Sequence, residues 1–245
     1  VLICFSTQST QGGEKEGSQP FRLKVVSLPR LSFAPLYLSE EEGFFKEQGL
    51  QIEFGRMGEA VQAIPALIRG DLHVMGETIF PNYLNAIARG ARIRIVADKG
   101  HLSATGCTYA GLAVRRALIT EGKLNTVAQL KGLRVSGIQP SSIPMYYLEK
   151  ILERASLTIA DVEIVLLPTS ARLEALERGA IDLVNATEPW LTRIQQAGYA
   201  VLWKPVQEIV PDFQHAVVLY GPTLLEKNPE AGKRFMVAYL RGVRQ

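Results

Sequence analysis

An alternation of strand-like and helix-like segments, run through twice along the chain, is the feature that most narrows what this sequence can fold into. In the first run, 23–28 reads as a buried strand, followed by a loop at 29–35. Residues 36–48 carry helical apolar spacing that stops at Gly49, and 50–54 is a second strand. Residues 59–69 are amphipathic, with Pro65 as a blemish, and end at Gly70-Asp71. A short strand at 72–75, a helix at 77–89 closed by Gly90, and a strand at 93–97 complete the run.

The second run begins with a crossing strand at 112–114 and a short helix at 126–130, for which Asn125 or Thr126 is the candidate cap. Strands follow at 133–136, 162–167, 181–185 and 201–203. Helices are expected at 142–154, 171–177 and 189–197, with Pro144 in a first turn, where proline is tolerated. Arg69-Gly70-Asp71-Leu72 in the first run corresponds to Arg178-Gly179-Ala180-Ile181-Asp182-Leu183 in the second. Strands alternating with helices imply an α/β architecture with largely parallel sheets. The expected fold is therefore two similar Rossmann-like lobes joined by two hinge strands, placed at 108–114 and 212–219. Lobe 1 is assigned 20–108 plus 215–245, with a C-terminal helix or two over 222–242, and lobe 2 is assigned 109–214.

Residues 1–19 stand apart. Val1-Leu2-Ile3-Cys4 is an apolar scrap, and 6–19 is dense in Ser, Thr, Gln, Gly and Glu, which reads as a signal remnant and disordered tether. Cys4 is the candidate lipidation residue, although Ile3 stands where a small residue is usual; the tail of an ordinary signal peptide is the alternative. Either reading exports the protein to the periplasm or cell surface. The chain lacks a starting Met and stops within an apparently helical run at 241–245, so further sequence is expected.

Lysine and arginine number 27 against 24 acids, for a net charge of +3, and they are scattered rather than gathered into a stripe, which argues against nucleic-acid binding. The two cysteines, Cys4 and Cys107, have neither CxxC spacing nor neighbouring histidines, so no metal site and no cofactor is expected, and Cys107 reads as a small buried residue.

Several stretches, in this order, resemble a known family: Ala34-Pro35-Leu36-Tyr37-Leu38-Ser39, then 42–50 (GFFKEQGL after Glu42), 66–74, 130–135, and 176–183 with Glu188-Pro189-Trp190. The family comprises the substrate-binding proteins of ABC importers for nitrate, sulfonates, taurine and thiamine-pyrimidine precursors. What the resemblance implies is a type 2 periplasmic-binding-protein-like fold and a monomer that binds a small-molecule ligand. It would deliver that ligand to an ABC permease in the membrane by hinge closure. GFFKEQGL has a purely structural explanation, an amphipathic helix, a glycine cap and the next strand, and stays out of the site.

In an open α/β sheet, ligands collect beyond the carboxyl ends of strands, beside helix starts. In the first lobe this nominates Ser32, Phe33 and Ala34, Glu77 with Thr78, and His101. In the second it nominates Gln139, Ser141, Ser142 and Ile143, then Thr187, Glu188 and Trp190. Phe33 either stacks on a flat ligand or staples its own helix. Ser141 and Ser142 open a helix whose first amides can meet an anion, and either could equally be its cap. Glu77 and Glu188, in corresponding turns, would favour a ligand with donor groups over a bare oxyanion. Trp190 either walls the pocket or is buried within the lobe. His73 is read as structural, and His215 is left unassigned.

Enzyme motifs are missing from the sequence: there is no GxSxG elbow, P-loop or strand-borne GxGxxG. Two alternatives stay open: an enzyme like the pyrimidine synthases of thiamine biosynthesis, which carry a cysteine-rich motif, and the effector-binding lobes of a transcription regulator.

Overall fold

The computed structural model describes residues 19–28, 30–55 and 60–245; the reading of Cys4 and most of the tether lie outside these residues. In chain order, β1 (Phe21–Val26) leads through a 3-10 turn (Leu31–Phe33) to α1 (Ala34–Glu41) and α2 (Phe44–Glu47). Next come β2 (Leu50–Gly55), α3 (Ala60–Arg69), β3 (Val74–Thr78), α4 (Pro81–Ala88) and β4 (Arg94–Leu102). The chain then crosses to β5 (Ala110–Arg115), α5 (Arg116–Thr120) and β6 (Arg134–Ser136), followed by α6 (Ile143–Glu153), β7 (Glu163–Ile164) and α7 (Thr169–Glu177). After β8 (Leu183–Thr187), α8 (Trp190–Gln196), β9 (Ala200–Pro205) and α9 (Val206–Ile209), it returns to β10 (Phe213–Tyr220) and ends in α10 (Pro229–Val243).

These strands make two five-stranded sheets in two lobes, ordered β2-β1-β3-β10-β4 and β7-β6-β8-β5-β9. β1, β2 and β3 run parallel, as do β6, β7 and β8, while β10 and β5 are inserted antiparallel. Leu23, Val25 and Val74 are completely buried in the first sheet, against Phe33, Phe45 and Phe235 from the covering helices. Around the second, Leu112, Val114, Val135 and Leu183 pack with Tyr147, Leu148 and Ile151 of α6.

Four expectations change. The helix expected over 36–48 is two helices, because Gly43 takes φ 72° and turns the chain between them. The strand expected at 162–167 is confined to Glu163–Ile164, with Val165 N–H adding one bond to Val135 O at 2.8 Å before Pro168 leads into α7. The expected hinge strands are interior strands, and the chain passes between the sheets in shorter segments at 103–109 and 210–212. Cys107 lies in the first of these crossings and is exposed rather than buried.

One buried acid ties the second sheet together at the end away from β8's carboxyl terminus. Asp182, 4% exposed, accepts from Arg134 N, Nε and Nη2 at 2.9–3.0 Å and from Arg115 Nη2 at 2.8 Å. Burial alone would raise its carboxyl; the two guanidiniums outweigh burial and hold it below the usual range. Removing one partner of a buried ion pair leaves the others uncompensated. Since the arginine side chains keep 26% and 34% exposure, Asp182→Ala should fall at the low end of that penalty, about 3 kcal/mol in urea unfolding.

Candidate functional site

The carboxyl ends of β1, β3, β6 and β8 converge on a cavity between the lobes, of about 290 Å³. The first lobe lines it with Leu28, Arg30 and Ser32 after β1, Glu77, Thr78 and Phe80 at the end of β3, and His215 on β10. The second supplies Gly137, Gln139, Ser142 and Pro144 after β6, Thr169 and Arg172 of α7, and Asn185, Thr187, Glu188 and Trp190 about the end of β8. Tyr109, in the crossing segment, stands between them. A hydrogen bond from Leu31 N–H to Glu188 O, 3.2 Å, spans the gap between lobes.

Glu77 is the most constrained group of the first wall. It is 2% exposed, and its Oε1 accepts from Arg30 Nη1 at 3.0 Å, from Thr78 N at 2.9 Å and from Thr78 Oγ1 at 2.7 Å. Its buried Oε2 has no hydrogen-bond partner among the described residues. Opposite, Asn185 leaves Oδ1 buried without a partner while its amide nitrogen lies 3.5 Å from Gly137 O. Buried acceptors of this kind cost about 1–3 kcal/mol each when nothing donates to them.

Glu188 is differently placed: both its oxygens are fastened to α8, accepting from Thr192 N at 3.0 Å and Thr192 Oγ1 at 2.9 Å. Ser142 is the N-cap of α6, with Oγ accepting from Met145 N at 3.3 Å and donating to Gln139 O at 2.6 Å. Pro144 brings no N–H, so the cap and the proline together limit what this helix start can offer an anion. Arg172 lines the cavity while its Nε donates to Leu167 O at 3.0 Å.

Behind these residues lies a buried titratable group. His215 is 4% exposed, with Nδ1 2.8 Å from Tyr109 Oη, either atom donating according to the tautomer. Burial, with Lys99 and Arg30 adding to it, pulls its pKa down to about 3.

Of the residues nominated from sequence, Ser32, Glu77, Thr78, Gln139, Ser142, Thr187, Glu188 and Trp190 line the cavity. Trp190 is half-buried, with the Arg193 guanidinium 5.1 Å from its ring. Phe33 is fully buried in the core, its ring covered by Lys99 Nζ at 3.4 Å, so it is not free to stack on a ligand. Ala34 is taken up in the first turn of α1, and Ile143 turns into the core of its lobe. Ser141, the other candidate cap, is exposed at φ 58° beside the Ser142 cap and outside the cavity. His101 points to the rim of the sheet, 3.6 Å from Asp212. Sequence reasoning passed over Arg30, Tyr109, Arg172, Asn185 and His215. Arg30 and Asn185 sat at the edges of segments already nominated by the strand-end rule. Nothing in the local sequence marked Tyr109 or His215. Among the described residues no group of three or more His, Cys, Asp or Glu is placed to hold a metal ion.

A family model described as NMT1/THI5 like matches residues 30–245. No curated protein matches the chain by sequence. Solved structures match by fold. The ligand-binding component of an ABC-type import system from Staphylococcus aureus is 14% identical, with TM-score 0.74, covering 91% of this chain and 73% of its own. The alkanesulfonate-binding protein of Xanthomonas axonopodis pv. citri, bound to MOPS, is 19% identical, with TM-score 0.73 and coverages of 92% and 74%. The periplasmic nitrate-binding protein of Synechocystis PCC 6803 is 14% identical, with TM-score 0.70 and coverages of 91% and 61%. At these identities the likeness is one of fold.

The depressed His215 gives a pH expectation. Between its ordinary value of 6.5 and about 3, the unfolded chain holds a proton there that the folded chain does not. Its contribution to stability is therefore full above pH 6.5 and is lost as pH falls toward 3. His215→Gln, which keeps an acceptor near Tyr109, should lose less melting temperature than the wild type on going from pH 7 to pH 4. Parallel acid profiles for the two proteins would contradict the assignment.

Proposed function

We infer the function from the premise that this chain belongs to the NMT1/THI5-like family: it is the solute-binding component of an ABC importer, working outside the cytoplasm. The observation that carries this reading is the cavity between two lobes, lined by strand ends from both sheets. A solute held there touches both walls at once, so the closed arrangement gains its contacts and is populated by binding. The lobes would move about the segments 103–109 and 210–212. The closed protein would then present itself, as a monomer, to a membrane permease. The solved structures of similar fold support the reading by what they are: an ABC-type import component, an alkanesulfonate-binding protein and a nitrate-binding protein. Export, and an anchor through a lipid on Cys4, belong to the same proposal.

The solute is a small organic molecule of the sulfonate, taurine-like or pyrimidine kind. Two residues that line the cavity favour members of that set with N–H groups: Glu77 and Asn185 each carry an oxygen with no hydrogen-bond partner among the described residues. Nitrate or a plain alkanesulfonate brings only acceptors and would leave both unmatched. Glu188, engaged by Thr192, no longer supports the argument, which rests on Glu77 and its opposite neighbour.

A thermal-shift screen tests this, because a ligand that binds the folded chain raises its melting temperature by mass action. Taurine or an aminopyrimidine should raise it more than ethanesulfonate or nitrate at equal concentration, and the radius of gyration in solution scattering should contract with the hit. For that hit, Glu77→Gln should weaken binding by about 10-fold, the loss of one hydrogen bond to a charged acceptor. Turnover of the hit would support an enzyme instead, and a hit without contraction would remove the closure mechanism.

A further inference from the structure

Lys99, on β4, is 6% exposed and has no part in lining the cavity. Its side chain runs past Gly76 of β3 so closely that a Cβ there would stand 2.6 Å from both Lys99 Cδ and Cε. Glycine at 76 thus opens a slot, and the lysine fills it. The amine at the end of the slot donates to Ser32 Oγ at 2.9 Å and sits 3.4 Å from the centroid of the Phe33 ring. Both partners belong to the 31–33 turn, whose first amide, Leu31 N–H, makes the bond across the cleft to Glu188 O. Cavity wall, lobe-to-lobe contact and buried amine are therefore connected through three consecutive residues.

The charged and titratable groups facing Lys99 come from each neighbouring element: Glu77 on β3, Arg30 in the loop after β1, Asp98 on its own strand and His215 on β10. Glu77 and Asp98 favour the ammonium form; Arg30 opposes it, and burial opposes it most. Burial wins, and the amine is brought down to about 7. His215, down at about 3, stays neutral over the range in which Lys99 changes charge.

We propose that Lys99 is a positioning residue of the cleft: its neutral amine seats the 31–33 turn, and protonation loosens that turn and its bond to the second lobe. The cause is hydration. An ammonium in the slot keeps one hydroxyl and one ring face in place of its water shell, and it recovers that shell when Ser32 and Phe33 move off. An amine has far less hydration to recover, so the turn stays packed. Acid then favours opening and neutral to alkaline pH favours closure. For its consequence in solute capture this rests on the cleft being the solute site; its test does not.

The test is hydrogen exchange at Leu31 N–H in the ligand-free full chain, corrected at each pH for the intrinsic chemical rate. From about pH 6 to about pH 8.5 its protection should rise on the order of tenfold, because the packed turn binds fewer protons than the released one. Leu112 N–H, inside β5, exchanges through deeper unfolding and serves as the reference for any change in the stability of the whole fold. In Lys99→Met, whose uncharged side chain can thread the same slot, Leu31 protection should be independent of pH. A flat or falling wild-type profile overturns the proposal, as does a rise that survives in Lys99→Met. If that variant does not fold, the wild-type profile decides alone. Failure of every solute to bind would remove the functional reading and leave this profile unchanged.

Discussion

Two antiparallel strands determine where everything else in this molecule can be. β5 and β10, each entered from a crossing between the lobes, are inserted into sheets whose other central strands run parallel. An antiparallel neighbour begins where the parallel strand ends. Ala216 of β10 therefore pairs with Thr78 at the end of β3, and Ala110 of β5 pairs with Thr187 at the end of β8. The two crossings join these same ends, so the carboxyl ends of both sheets face one gap. A cavity in that gap follows from the connectivity before any side chain is considered.

Each sheet also carries a buried carboxylate with its own arginine, and the two acids act at opposite ends of their strands. Asp182, just before β8, is saturated: four donors from Arg115 and Arg134 surround it, and nothing is left for a ligand. Glu77, near the end of β3, is half satisfied, with three donors on one oxygen and none on the other. A buried pair earns little net stability over apolar packing, and breaking it is costly. The saturated acid locks strands together. The half-satisfied one belongs to a residue that lines the cavity, held in direction by Arg30 and Thr78.

Legibility of the site followed how local each cause was. Glu77, Thr78, Thr187 and Glu188, which line the cavity, were nominated because a strand end followed by a helix start is a pattern in consecutive residues. Ser142 was found for the same reason, and its capping role is local too. Phe33 was left with two readings, a ligand face or a staple, because its burial depends on Lys99, sixty-six positions away in sequence, coming up beneath its ring. His215 and Tyr109 are joined across 106 positions, and no window of sequence contains both. His101 looked suitable beyond a strand end, but β4 continues to Leu102, so His101 lies within this edge strand, 3.6 Å from Asp212.

The sequence by itself determined the α/β class, the order of most strands and helices, the two-lobed plan and the strand ends that converge on the cavity. Those features depend on apolar periodicity, glycine stops and caps, each encoded within a turn or two of chain. Only the tertiary structure decided that β5 and β10 are interior strands and that Glu77 and Asn185, one from each lobe, hold buried oxygens with no hydrogen-bond partner among the described residues. It also placed Lys99 behind Ser32. The physical reason is common to all three: pairing, burial and hydrogen bonding between residues far apart in sequence are set by packing, and the pattern along the chain carries no record of which distant atoms will meet.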